Sequence, residues 1–153
     1  MSELLGGLQE RTFAQATAAT AISYPPERRL SAAQLAAYLD RRSFAVVSST
    51  RGNGRPHTAM SVYIRRGITF WLPTMAGSVR ERNLRGMPWL TMVIAENDHP
   101  KHIAVIIEGP AEVVPPAQVP ADVRDAITAD WVSTWIRLTA ERLLSYADEN
   151  AQP

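Results

Sequence analysis

The sequence predicts a mainly β domain with few α-helices, folded as a small barrel, and three observations carry that expectation. Short apolar or alternating runs recur from Phe44 onward, punctuated by turn residues. Asn53-Gly54 lies between two of these runs, a hairpin signal because both residues tolerate positive φ. The runs 90–94 and 103–107 are too apolar for a sheet with one face in water, so barrel closure or a subunit interface must cover them.

Taken in order, residues 1–29 are rich in Ala and Thr and end in Tyr24-Pro25-Pro26, which would halt any helix running over 13–22. They read as an N-terminal appendage to a domain spanning 30–150. A helix is predicted over 32–41: Ser31 caps it, Gln34 completes a capping box, and Leu30 faces Leu35 as a hydrophobic staple. Strands follow at 44–50, 56–64 and 68–72, the last entered through Arg65-Arg66-Gly67, and together they read as a meander. Two longer strands, 89–96 and 102–114, flank a polar turn at 97–101. Pro115-Pro116 ends the sheet. Pro120 opens a helix to about residue 130, with Val123, Ile127 and Trp131 at core-facing spacing. A last hairpin pairs 135–139 with 143–147.

Composition excludes several classes of function. The chain has 153 residues, 46% of them apolar and 20% charged, which suits one globular domain. A formal charge of +1 gives no global pull on nucleic acid or on an anionic membrane. The chain has no cysteine, which removes thiol nucleophiles, disulfides and zinc–thiolate sites. No run is long enough to span a membrane. Glu3 and Glu10 stand where a signal peptide would be basic, so a cytoplasmic protein is expected.

The stretch 77–84 carries the clearest chemistry. Ser78 can cap a short helix and Glu81 can reach back to its amide, while Gly86 and Pro88 supply a left-handed cap and a stop. A helix start offers unpaired N–H groups and partial positive charge, to which Arg80 and Arg82 add full charges, so a phosphate would fit there. The same residues also suit a surface helix whose arginines are merely solvated.

Three segments in this order resemble the pyridoxamine-phosphate-oxidase-like split-barrel family, which includes flavin- and deazaflavin-dependent oxidoreductases. Residues 44–50 running into Asn53-Gly54-Arg55-Pro56-His57 are similar to its opening hairpin with a "dGrPh" turn. Residues 77–85 followed by Pro88 are similar to its "sxKxrNLrrdPrv" segment, and 107–113 to its "veGxAev" segment. The resemblance implies an FMN-binding split β-barrel, homodimeric, with cofactors in grooves between two barrels and a small-molecule substrate. It places Arg80 on the cofactor phosphate, with Ser78 at a neighbouring position that is often basic in the family. It also places Ala59, Met60 and Ser61 against the ring, Thr74 as a further phosphate or ribityl contact, and Asn83 within the same cofactor-binding segment. The C-terminal segment bearing arginine and tryptophan that binds the vitamin B6 substrate has no match here.

Two readings follow from this resemblance. In the first, the protein is an oxidoreductase that uses FMN, or instead the deazaflavin coenzyme F-420, to move a hydride to or from a small organic molecule. In the second, it is a non-catalytic module that binds a flavin, a deazaflavin or haem. Neither needs a dedicated acid or base, and no catalytic residue is identified. His57 could face the cofactor groove or sit at an edge strand, His99 lies in a polar turn, and His102 begins a strand. No metal-binding spacing joins them. Trp71, Trp89, Trp131 and Trp135 read as core or interface packing. Arg41-Arg42, Arg51, Arg55 and Arg65-Arg66 form either a solvated rim or a basic mouth.

Overall fold

The computed structural model describes residues 2–98, 100–149 and 151. His99 of the expected polar turn, Asn150 at the expected domain end, and Met1 lie outside them. Period-two alternation builds the interior. Along β5 (Trp89–Asp98) and β6 (Lys101–Val114), Leu90, Met92, Ile94, Ile103, Val105 and Ile107 have no exposed surface. Each such side chain contributes about 1.5–3 kcal/mol by leaving water. β1 (Phe44–Thr50) adds Ala45 and Val47 to the same core.

Among the described residues the strands run in the order β2-β1-β5-β6-β7-β4-β3, with β8 also on β6. Here β2 is Pro56–Val62, β3 Ile64–Arg66, β4 Thr69–Thr74, β7 Thr134–Thr139 and β8 Arg142–Ala147. The two ends of this order, β2 and β3, are consecutive in the chain with only Tyr63 between them, so the backbone itself closes the barrel. Tyr63 is buried; its N–H donates to Ser43 O at 3.0 Å and its hydroxyl to Leu39 O at 2.6 Å.

The central strand β6 divides its free edge between two partners. Ile103–Glu108 pair with Ala147–Arg142 of β8, while Ala111–Val114 pair with Leu138–Trp135 of β7. Gly109 lies at the handover. A Cβ there would stand 2.0 Å from Thr139 O and 3.0 Å from Glu141 N, and Glu141 N–H donates to Glu108 O at 2.9 Å. Only a residue without a side chain lets β6 pass this close to the kink between β7 and β8.

Three sequence expectations change as a result. Strands β1 to β4 keep the expected neighbours, β1 on β2 and β3 on β4, but the second run is broken at Tyr63 into β2 and β3, and β4 takes β7 on its other edge. The last two strands are not a hairpin; β7 and β8 follow one another along β6 in the same direction. The helix opened by Pro120 stops early: α5 covers only Ala121–Ala126, and Ile127 is already extended at φ −132°. Val123 is buried beside Trp71, Val114, Val119 and Trp135 in a second, smaller core.

Helices seal one end of the barrel. α3 (Ala32–Arg41) has the expected capping box, Ser31 Oγ accepting from Gln34 N and Gln34 Oε1 from Ser31 N at 3.2 and 2.9 Å. The N-terminal segment holds two helices, α1 at Ser2–Ala14 and α2 at Ala18–Ser23, the second ending just before Tyr24-Pro25-Pro26. Leu5 and Leu8 of α1 belong to the same apolar cluster as Leu35 and Leu39 of α3. Gly6 lets the two helices touch, since a Cβ there would stand 2.7 Å from that of Ala32. Buried polar groups hold α1 to the outer edge of β8. Leu143 N donates to Thr12 Oγ1 at 3.0 Å, and Ser145 Oγ accepts from Leu30 N at 3.0 Å while donating to Gln9 Oε1.

The opposite, outward face of β1, β2 and β5 is apolar and uncovered. Phe44 is 54%, Val46 39% and Met60 61% exposed, and Val46 stands in register between Met60 and Val93.

Replacing Gly109 by Ala forces its Cβ into backbone and should destabilise the fold by about 3 kcal/mol, the upper range for overpacking a fixed site. Denaturant unfolding followed by tryptophan emission measures this.

Candidate functional site

Helix α4 (Val79–Gly86) begins where β4 runs out against the barrel mouth. Gly77, at φ +79°, turns the chain so that Ser78 N donates to Met75 O at 3.2 Å. Ser78 Oγ then accepts from Glu81 N at 3.2 Å and lies 3.3 Å from Thr74 Oγ1. The expected capping box is only half formed. Glu81 does not return to the Ser78 amide; its Oε1 accepts from Arg85 Nη2 at 3.1 Å, and its Oε2 is buried without a partner. Nor is Gly86 a left-handed cap. It closes the helix, and Met87 follows in extended conformation at φ −134°.

A cleft of about 340 Å3 opens at this helix start, within the roughly 300–1,000 Å3 usual for ligand sites. Its walls are mostly apolar: Phe44, Met60, Val62, Pro73, Met75 and Trp131, with Ser61, Thr74, Ser78 and Arg80 supplying polar groups. Arg80 is its only charged residue among those described. The Nε and Nη1 atoms of Arg80 are buried and have no hydrogen-bond partner. Burial pushes the guanidinium below its ordinary pKa. An anion seated here would satisfy donors that the protein leaves unspent.

Four arginines of the expected rim are spent on carboxylates elsewhere. Arg41 and Arg42 meet Glu96, Arg65 holds Asp40 through two bonds, and Arg66 pairs with Asp122 at 2.7 Å. These pairs hold both Glu96 and Asp122 below the usual carboxylate range, each chiefly through its arginine hydrogen bond. None of these four arginines lines the cleft. Two other hollows are larger, about 560 and 540 Å3, but their charged residues include the pairs Arg137–Glu112 and Arg65–Asp40. Among the described residues, no group of three or more His, Cys, Asp or Glu could hold a metal ion. Among the described residues, no helix is long and apolar enough to cross a membrane.

The structure brings Met60, Ser61, Thr74, Ser78 and Arg80 together and leaves three candidates outside. Asn83 is buried on the inner side of α4, where its Nδ2 donates to Ser49 Oγ at 3.0 Å and ties the helix to β1. Ala59 and His57 precede the end of β2 that reaches the cleft, whose lining from this strand is Met60, Ser61 and Val62. Arg82 is exposed outside it. The sequence reading missed Phe44, Val62, Pro73, Met75 and Trp131. Trp131 was assigned to packing on a helix that ends before it; the run Val132-Ser133-Thr134, rich in β-branched residues, was the available sign. In the structure Trp131 is 48% exposed, on a loop stitched to the cleft wall by Ser133 N–Thr74 O at 3.1 Å and Ala76 N–Ser133 Oγ at 2.8 Å.

This split-barrel fold is shared with solved structures. A conserved hypothetical protein of Mycobacterium tuberculosis superposes with TM-score 0.67 at 19% identity, over 80% of this chain and 88% of that one. A FAD-binding protein of Mesorhizobium loti gives 0.65 at 18%, over 80% and 97%. HutZ, the haem storage protein of Vibrio cholerae, gives 0.58 at 14%, over 74% and 93%. At these identities the likeness is one of fold. The chain belongs to the pyridoxamine 5'-phosphate oxidase family, whose model matches residues 31–147. No curated protein matches the sequence.

Leaving buried donors unpaired costs on the order of 1–3 kcal/mol. Arg80→Met should therefore raise the stability of the ligand-free protein by about 1 kcal/mol, seen as a higher thermal midpoint.

Proposed function

We propose that this chain is an oxidoreductase that uses FMN, or alternatively the deazaflavin F-420, to move a hydride to or from a small organic substrate. One observation carries the reading: the buried, unpartnered Nε and Nη1 of Arg80, at a helix start in a cleft that is otherwise apolar. Such donors suit a phosphate, and the apolar walls suit a planar ring. Arg80, Ser78 and Thr74 would hold the phosphate end, and Met60 and Ser61 would border the ring. Hydride acceptance and donation is the chemistry the cofactor supplies when bound. The protein's part is to orient the ring and exclude water.

A homodimer completes this reading. The uncovered face bearing Phe44, Val46 and Met60 adjoins the cleft, and a second copy placed on it would bury apolar surface while deepening the site. The substrate then meets the ring between two barrels, in a cytoplasmic protein reduced by a soluble donor.

Haem binding without turnover is the second reading, favoured by the fold shared with the haem storage protein HutZ. Against it, no histidine is among the residues lining the cleft.

Titration of the purified protein with FMN, F-420 and haem separates these readings. Binding of one of the first two, followed by reduction of the complex, supports the oxidoreductase; binding of haem alone overturns it. Arg80→Glu should weaken FMN by more than tenfold, about 1.4 kcal/mol, and leave riboflavin, which lacks the phosphate, unchanged. Equal affinity of wild type and variant for FMN would remove Arg80 from the phosphate site.

A further inference from the structure

We infer that Trp131 is the stacking surface for the planar ring of the ligand held by Arg80, and that it sets the site's preference for aromatic ring systems. The inference rests on the cofactor reading above and adds to it a residue outside every family-like segment of the sequence. A tryptophan 48% exposed is unusual, since the residue normally buries most of its surface, and here the neighbouring Ile127 and Val132 pack against the smaller core while Trp131 stays in the open. Its position is not free. Ser133 N donates to Thr74 O at 3.1 Å and Ser133 Oγ accepts from Ala76 N at 2.8 Å, which fixes the loop to the same segment that leads into the Arg80 helix. Val132 N also donates to Ala129 O at 3.1 Å, turning the chain at Trp131 itself.

The indole therefore stands at a set place in the cleft that holds Arg80, with Met60 and Phe44 also in its walls. The chemistry this selects is an aromatic ring joined to an anionic group. The ring meets an indole face and the anion meets a guanidinium, and each contact contributes separately. A sugar phosphate or an inorganic anion would use only the second.

The test measures dissociation constants for FMN and riboflavin by ring fluorescence in the wild type, Trp131→Leu, Trp131→Phe and Arg80→Gln. Thermal melts and sedimentation of each variant run alongside. Trp131→Leu should weaken both ligands about tenfold, a loss of about 1.4 kcal/mol. Trp131→Phe, which keeps an aromatic face, should recover most of that affinity, and Arg80→Gln should weaken FMN alone. FMN should also quench less tryptophan emission in Trp131→Phe than in wild type.

Wild-type affinity for FMN in Trp131→Leu, with Arg80→Gln impaired, overturns the stacking role and leaves the phosphate site standing. Loss of affinity in Trp131→Leu that tracks loss of the dimer overturns it too, by making Trp131 a subunit contact. A wild-type protein that binds no FMN, riboflavin or F-420 overturns the cofactor reading and the stacking role together.

Discussion

The close approach of backbone at Gly109 is the constraint on which the rest of the fold depends. With Thr139 O 2.0 Å from where a Cβ would sit, β6 can release β8 and take up β7 within two residues. That handover lets one strand serve both halves of the barrel. It also sets where β7 lies and, through the register Thr74↔Thr134, where β4 ends. The helix start at Ser78 is thereby delivered beside the outer residues of β1 and β2. A glycine far from the cleft thus determines which side chains can meet in it.

The charged groups around the barrel divide into those already satisfied and those left open. Four arginines on the rim are matched to Glu96, Asp40 and Asp122, which removes their free positive charge from the surface. Arg80 is the contrast. Its donors are shielded from water and unmatched, which concentrates electrostatic attraction at one point in an apolar setting. Neighbouring hydroxyls of Thr74 and Ser78 can each donate or accept, so they can reorient toward an arriving anion without moving backbone.

Local signals were legible in the sequence where local physics decides the outcome. The Ser31 cap, the turn at Gly54 with φ +83°, and the alternating cores of β5 and β6 could all be read from neighbouring residues. Long-range pairing was not, because nothing near Thr69–Thr74 says that β7, at least sixty positions later, takes the edge of β4 that β3 leaves free. The final two strands looked like a hairpin for the same reason: a short polar break was visible, but the edge of β6 that accepts both was not. For the site, Arg80, Ser78 and Thr74 were accessible through helix-start chemistry and family-like spacing. Trp131 was hidden by an apparent helical period that the backbone abandons at Ile127. His57 and Ala59 lie farther back along β2, whose last three residues, Met60, Ser61 and Val62, are the ones that reach the cleft.

The hooks between α1 and β8 bear on the order in which the molecule can be assembled. Gln9 and Thr12 are satisfied by Ser145 and Leu143, partners separated from them by 136 and 131 positions. An early helix therefore emerges from the ribosome long before the strand that donates to its buried amide oxygen and hydroxyl. Until that strand arrives, Leu5 and Leu8 have no finished core to enter, and the interval is one of exposed apolar surface during synthesis. The chain closes late and as a whole, its first helix locked by its last strand.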